Sequence, residues 1–272
     1  MKRLCFSLLL LLLPLTLKAE NNLPVVSIII DDMGQSLAAA QRVINLPGPV
    51  VSAILPNTDN ARQIAFLTHH YGKEVMLHQP MQSMAGNRLG DGAIVLDMTR
   101  QQVWNTLETN LNKVPFAVGV NHHMGSLISR HPGHMAWVME YMKQRGELFY
   151  VDSRTTKDTV AQQLAAETGI RNTRRNVFLD HEVTEDAILY QLKRMIRLAK
   201  RDGSAVAIGH PFAETVKVLE QEIPRFEEYG VELVPISRVI SLRQDEALNK
   251  VQVANKSIYG VIKKNTHLSD TQ

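Results

Sequence analysis

Two adjacent carboxylates, Asp31 and Asp32, follow an apolar run in the stretch VVSIIIDDMGQ, residues 25–35. A continuous apolar run without alternation is typical of a strand that is buried on both faces, as in parallel sheets covered by helices. Ligand sites in α/β folds lie at the carboxyl ends of such strands. Two neighbouring carboxylates repel each other at neutral pH unless they bind a cation or one is protonated. The pair is therefore a candidate site, with capping of the following helix as the structural alternative.

Further polar side chains follow other apolar runs of the chain. They are His78, Asn121, His122, His123, Asp152, Asp180, His181 and His210. The carboxyl ends of all strands in a parallel barrel lie on one face, so residues that are distant in sequence become neighbours there. Adjacent strand residues point to opposite sides, so we expect at most one of His122 and His123 to face the site.

A cluster of aspartate and histidine without cysteine suits a divalent metal ion with open coordination positions, zinc first. One carboxylate and two imidazoles would hold the ion, which would polarise a carbonyl group and lower the pKa of bound water to about 7. A free carboxylate could then act as general base, and a histidine across the site as general acid. Asp152 suits turn chemistry as well as a site. Asp180 and His181 are interpreted as structural.

The elements that would position these residues alternate between strand and helix. Eight apolar runs are predicted as strands, at residues 25–30, 50–55, 74–77, 116–120, 148–151, 177–179, 205–208 and 231–234. Ser36 and Thr99 are predicted N-caps of helices. Residues 81–98 contain three glycines and are predicted to form a long loop over one face. Seven or eight strand–helix units favour a closed or nearly closed parallel barrel, with a doubly wound open sheet as the alternative.

The first 19 residues have the pattern of a secretory signal peptide. A positive start is followed by six consecutive leucines, and we expect cleavage after Ala19. The protein is therefore predicted to be exported and periplasmic. An uncleaved N-terminal anchor is the alternative, and membrane contact would then involve this segment alone.

Removal of the signal segment changes the charge of the chain. The segment carries Lys2, Arg3 and Lys18 and no acid, so the formal net charge of +3 becomes 0. On charge grounds nothing indicates a nucleic-acid partner. The single cysteine, Cys5, also lies in this segment, so the mature chain is expected to have no disulfide. Residues 20–241 are predicted to form one domain, and 242–272 a polar, partly disordered tail.

Five motifs in this chain resemble those of the divergent polysaccharide deacetylase family, a distant branch of the carbohydrate esterases with a NodB-like fold. They are IIIDDMG at 28–34, LHQPM at 77–81, GVNHHMGS at 119–126, FYVDSRTT at 149–156 and IGHPFAET at 208–215. The resemblance covers about residues 23–241. It implies a distorted (β/α) barrel of about seven parallel strands that removes N-acetyl or O-acetyl groups from a polysaccharide.

The same resemblance implies a role for each residue of the site. Asp31 would be the base that deprotonates the attacking water, and His210 would protonate the leaving group. Asp32, His78 and His123 would hold the metal ion. Four further residues are expected to contact the metal ligands or the substrate: Asn121, His122, Asp152 and Ser126.

The chain departs from the family pattern at two places. Ordinary deacetylases carry H-x-x-x-H on the second motif, but four residues after His78 this chain has Gln82. The usual Arg-Pro motif is replaced by NHHMGS. The metal site must therefore have been rebuilt across two strands, or the ion was lost and the barrel binds glycan without cutting it. A phosphoesterase is a third possibility, but the sequence offers no basic phosphate clamp beyond Arg154.

Overall fold

The structure is a computed structural model that describes residues 23–249. The predicted signal segment and residues 250–272 of the predicted tail lie outside this range. Among the helices of residues 23–249, none is both long and apolar enough to cross a membrane.

The described chain forms one parallel sheet of nine strands with helices around it. The strands are β1 (Val25–Met33), β2 (Val51–Ile54), β3 (Val75–Met81), β4 (Ala117–Met124), β5 (Phe149–Asp152), β6 (Asn172–Arg174), β7 (Val177–Phe178), β8 (Ser204–Gly209) and β9 (Glu232–Leu233). Their order is β6-β5-β4-β3-β2-β1-β8-β7, and β9 pairs with the start of β1. Every pairing is parallel, because the connection between any two paired strands returns the chain to the same end of the sheet.

Seven of the helices follow the predicted strand–helix alternation, and an eighth, at the end of the described chain, is not expected from the sequence. They are α1 (Leu37–Asn45), α2 (Ala61–His70), α3 (Arg100–Lys113), α4 (Pro132–Arg145), α5 (Ala161–Thr168), α6 (Glu185–Asp202), α7 (Ala213–Glu222) and α8 (236–249). Both predicted N-caps are confirmed. The Ser36 hydroxyl accepts from the Ala39 N–H at 3.2 Å, and Thr99 forms a capping box with Gln102.

The two edge strands of the sheet, β6 and β7, are consecutive parts of the segment 172–178. This segment pairs first with β5 and then with β8. Between them, the Arg175 N–H donates to Asp152 O at 2.9 Å and the Asn176 N–H to Val206 O at 2.8 Å. The sheet is therefore a curled, nearly closed barrel, as predicted, and not an open doubly wound sheet. Strand β6 was not predicted, because its three residues, Asn-Thr-Arg, carry no apolar signal.

The apolar side chains form two layers. One lies between the sheet and the helices, and the other fills the barrel, with Ile29, Phe149 and Ile208 among its members. Ile236, Val239 and Ile240 of α8 belong to the inner layer and close the barrel at the amino ends of its strands. Residue 241, the predicted end of the domain, lies within α8, which continues through residue 249, the last residue that the structure describes.

Three strands continue further than their apolar runs. Strands β1, β3 and β4 include Asp31, His78 and Asn121, and the last two lie opposite each other in the ladder. Backbone pairing does not require an apolar side chain, so hydropathy alone ends these strands too early. The predicted loop after β3 is present, and the Ile94 N–H fastens it to Pro80 O at 2.9 Å.

Candidate metal centre and its surroundings

The side chains of Asp31 and Asp32 reach the same site from adjacent positions of β1. Asp31 follows the alternation of Val25 and Ile29, which face the barrel interior. Alternation would turn Asp32 outward, but its φ is 55°, in the left-handed region. The register between β1 and β2 shifts at this place, between Ile30 and Met33. This local irregularity brings the Asp32 carboxylate to the mouth of the barrel beside Asp31.

Asp32, His78 and His123 bring three ligand atoms together, one each, all within 4.8 Å of one another. Asp32 Oδ1 lies 3.1 Å from His78 Nε2 and 2.8 Å from His123 Nδ1. Donors that share a metal ion at about 2.0–2.2 Å must lie roughly 3 Å apart, so these spacings suit a bound divalent cation. One carboxylate and two imidazoles leave positions open for water and substrate.

Asp32 Oδ1 itself is a buried acceptor. Within residues 23–249 no donor has hydrogen-bond geometry to it, although two imidazole nitrogens lie close by. Burial would raise the pKa of Asp32, but His123 and His78 lower it well below its usual range. Burial would likewise lower the pKa of His78, but the charges of Asp31 and Asp32 raise it to about 9. The carboxylates of Asp31 and Asp32 therefore favour a positive charge at this site. A bound metal ion would supply that charge in place of the proton on His78.

The side-chain amide of Asn121 bridges His78 and Asp31. Its amide oxygen lies 2.7 Å from His78 Nδ1, and its amide nitrogen donates to Asp31 Oδ1 at 2.7 Å. Because Nδ1 of His78 is engaged by an acceptor, Nε2 is the nitrogen directed at Asp32. Such outer contacts fix the tautomer and the ring orientation of a metal-binding histidine.

His210 lies on the other side of the site, and Asp180 holds it. His210 Nδ1 lies 2.9 Å from Asp180 Oδ1, while Nε2 lies 3.8 Å from Asp32 Oδ2. The other Asp180 oxygen accepts from the His210 N–H at 2.5 Å and from the Thr215 hydroxyl at 2.8 Å. Burial lowers the pKa of His210, but the hydrogen bond and charge of Asp180 outweigh it and raise this pKa. The imidazole is thus oriented with Nε2 towards the site.

These groups surround a cavity of about 410 Å³, within the usual range for small-ligand sites. Asp31, His78, His123 and His210 contribute to its wall. Asp31 is buried, and burial raises the pKa of its carboxyl, although His78, His210 and Asn121 act against this. A carboxylate that has a raised pKa is a better proton acceptor, so the cavity combines a possible metal site, a base and an acid.

Two other predicted residues, Asp152 and Ser126, hold the loops around the site. The carboxylate of Asp152 accepts from the Arg154 N–H at 2.8 Å and from the Thr159 hydroxyl at 3.0 Å, which organises the loop after β5. Ser126 Oγ accepts from the Met84 N–H at 3.0 Å and ties down the loop after β3.

His122 turns away from the metal cluster, as alternation predicts for one of the two histidines. Its Nδ1 lies 2.8 Å from the Tyr150 hydroxyl. Burial lowers the pKa of His122 to about 4, so the ring is neutral. Its ring still contributes to the cavity wall.

Asp180 and Arg175 belong to the site although the sequence does not indicate a functional role for either. Asp180 was interpreted as structural, but its carboxylate orients His210. Asp180 directly follows the apolar run 177–179. It therefore lies at a strand end, like the other candidate residues. Arg175 also lines the cavity. It lies in the polar stretch NTRRN, where nothing in the sequence separates it from its neighbours.

Comparisons with known proteins agree with this architecture. A family model for divergent polysaccharide deacetylases matches residues 28–240. YibQ of Escherichia coli (strain K12), an uncharacterized protein, is 36% identical over 197 residues, which cover 72% of this chain and 61% of YibQ. The matched region thus spans less than two thirds of that relative.

Three solved structures have a similar fold. The uncharacterized protein ATU2773 from Agrobacterium tumefaciens C58 has a TM-score of 0.77 at 21% identity, covering 80% of this chain and 89% of that one. A mutant of the peptidoglycan deacetylase PdaC from Bacillus subtilis has a TM-score of 0.54 at 9% identity, covering 86% and 98%. BA3943 from Bacillus anthracis, a CE4 family pseudoenzyme, has a TM-score of 0.51 at 10% identity, covering 80% and 66%.

At these identities the structural likenesses establish the fold alone. The family model supports more than the fold, because the matched residues, 28–240, include almost all of β1 to β9 and every residue of the cavity named above. The chain belongs to the divergent polysaccharide deacetylase family.

Proposed function

We propose that the protein is an exported, metal-dependent hydrolase that removes acetyl groups from a polysaccharide. The observation that carries this proposal is the convergence of Asp32, His78 and His123 beside a buried carboxylate and an oriented imidazole. The family supports a glycan as the substrate. The signal-like segment 1–19 supports export to the periplasm.

The metal ion would be held by Asp32 Oδ1, His78 Nε2 and His123 Nδ1. Zinc is our first expectation, since two imidazoles and one carboxylate form a typical ligand set of catalytic zinc. When bound, such an ion polarises the acetyl carbonyl group and makes water a better nucleophile.

The remaining groups move the protons. Asp31 accepts a proton from the water whose oxygen attacks the acetyl carbon. His210 Nε2–H then donates a proton to the leaving nitrogen or oxygen as its bond to the acetyl carbon breaks, and acetate is released. Asn121 holds the side chains of Asp31 and His78 in place. Asp180 keeps the His210 imidazole directed at the leaving group.

The test measures bound metal and acetate release on the purified protein. We expect about one zinc ion per chain and acetate release from acetylated glycan fragments. Asp32→Ala should abolish zinc binding, because it removes the ligand that both imidazoles approach. Asp31→Asn should retain the metal and lower kcat by about 10²- to 10⁴-fold, the usual contribution of a general base.

The matched control is Asp202→Asn, a change of the same kind at an exposed carboxylate that ends α6 beside the amino end of β8, at the opposite end of the barrel from the cavity. It should leave both zinc content and acetate release unchanged. A folded protein that neither binds zinc nor releases acetate contradicts the proposed function.

A non-catalytic glycan-binding role is the second candidate, and Gln82 is the observation that favours it. Gln82 occupies the position of the second-motif histidine, and its side-chain oxygen accepts from the Leu96 N–H at 2.8 Å. It therefore holds the loop after β3. For this candidate we expect glycan binding with no acetate release and no dependence on metal.

A further inference from the structure

A second cavity, of about 390 Å³, adjoins the first. Its wall carries four cationic side chains, Arg154, Lys157, Arg175 and Arg194, and no carboxylate. We call it the basic cavity. The whole mature chain has a predicted net charge near zero, so this concentration of positive charge is a local feature and not a property of the surface in general.

The two cavities share part of their walls. Arg175, Phe178 and His181 line both of them. A chain-like ligand with its acetyl group at Asp31 and His210 would therefore place a neighbouring unit against the basic cavity.

Arg175 is fixed at the junction. Its Nε donates to Ser153 O at 2.6 Å, and its Nη2 donates to Arg154 O at 2.8 Å. Its guanidinium also lies over the Phe178 ring, 4.8 Å from the ring centre. A cation held in this way loses little conformational freedom when it binds an anion.

In the described part of the chain, no carboxylate forms a direct ion pair with the cations of the basic cavity. Within residues 23–249, none of the four cations has a carboxylate oxygen within salt-bridge distance. Burial lowers the pKa of Arg175. The charges of Asp31 and Asp152 act against this, and those of Arg154 and Arg194 act in the same direction as burial. The cations thus repel one another, and an oxyanion between them would relieve that repulsion.

We infer that the basic cavity is a subsite for an oxyanion, a carboxylate or a phosphate, carried by the glycan next to the acetylated sugar. This inference rests on the proposed glycan-binding function and narrows it: the substrate class is an acidic polysaccharide. Arginine suits this role because its planar fork of donors matches either oxyanion.

The test compares three ligands that share one acetylated backbone: chitohexaose, carboxymethylated chitohexaose and phosphorylated chitohexaose. Their affinities are measured by calorimetry on the Asp31→Asn variant, so that no turnover is needed. We expect at least one acidic oligomer to bind about tenfold more tightly than the neutral one, with a preference that shrinks as salt is added. The tighter of the two acidic oligomers identifies the oxyanion.

The variants Arg194→Gln and Lys157→Gln, combined, should abolish this preference and leave the affinity for neutral chitohexaose unchanged. Arg197→Gln is the matched control. It removes an exposed arginine from the same helix, α6, outside the basic cavity, and should keep the preference.

Equal binding of the three oligomers, binding of none, or a preference that survives the double substitution overturns the inference. None of these outcomes depends on acetate release. A protein that discriminates acidic oligomers but releases no acetate would therefore retain the acidic-glycan subsite and fail as a deacetylase.

Discussion

Asp32 shows how much of the site depends on one backbone angle. In a regular strand its side chain and that of Asp31 would lie on opposite faces of the sheet. A φ of 55° is tolerated by aspartate better than by most residues, and here it turns the carboxylate towards His78 and His123. The two carboxylates can therefore have different roles, one as ligand and one as base, although they are adjacent in sequence.

The bond between Asp180 and His210 predicts a change in pH dependence. Asp180→Asn keeps the shape of the side chain but removes its charge, so the pKa of His210 should fall. A general acid acts in its protonated form, which is lost as pH rises through its pKa. We therefore expect the alkaline limb of the kcat profile for acetate release to move to lower pH, and kcat to fall by about tenfold or more.

Thr215→Val is the control for this prediction. It removes a hydrogen bond to the same carboxylate but leaves the charge of Asp180 in place. The alkaline limb should then stay where it is in the unchanged protein. An alkaline limb that is identical in the Asp180→Asn variant would exclude His210 as the acid.

Because Asn121 contacts the metal-site residue His78, we expect substitution of Asn121 to weaken metal binding. Asn121→Ala removes the acceptor that engages His78 Nδ1, so the imidazole is no longer held in the tautomer that presents Nε2. Loss of such an outer contact usually weakens metal binding by about 10- to 100-fold, and we expect an effect of this size for zinc. Competition with a chromophoric chelator measures it.

Ser126→Ala is the comparison for Asn121→Ala. Ser126 lies close by in sequence, but its hydroxyl contacts the loop after β3 and not the metal cluster. Zinc affinity should be unchanged in this variant. Equal losses in both variants would mean that Asn121 acts through the general fold and not through His78.

At the scale of the elements, α8 packs against the amino ends of the strands. Its Arg243 side chain reaches the amino ends of the strands, where it donates to the Ser204 hydroxyl at 2.9 Å and to Asn176 Oδ1 at 2.9 Å. It also donates to the Thr173 hydroxyl at 2.5 Å. Arg243 thus links β8 to the segment 172–178 that nearly closes the barrel, and it lies beyond the boundary expected from the sequence.

We expect Arg243→Ala to lower the free energy of unfolding by about 2–3 kcal/mol, because several partly buried hydrogen-bond partners lose their donor. Urea unfolding measures this value. Arg238→Ala, an exposed position of the same helix, should change stability by no more than about 0.5 kcal/mol. Equal effects of the two substitutions would contradict the structural role of Arg243.

The elements also differ in how well the sequence predicts them. Helices α1 and α3 begin at Ser36 and Thr99 as expected, because capping is a local property of a few residues. The long apolar strands were recognised for a similar reason. Strand β6 was missed, since it exists only because β5 provides a neighbouring edge.

At the scale of the whole molecule, the barrel brings residues that are distant in sequence into contact. Asp31 and His210 face one cavity because β1 and β8 are neighbours in the sheet. His78 and Asn121 are adjacent for the same reason in β3 and β4. The near closure of the sheet at 172–178 also brings Arg175 against this cavity, and with it the basic cavity beyond.

The order of residues along the chain is enough to identify the fold class, the family motifs and the strand ends that supply the site. Hydrophobic pattern and turn chemistry are local, so they can be recognised along the chain. Only the tertiary structure decided which residues of that set meet. The direction of Asp32, the choice of His123 over His122, the contact of Asp180 with His210 and the charge around Arg175 all depend on packing between distant segments, which no local pattern records.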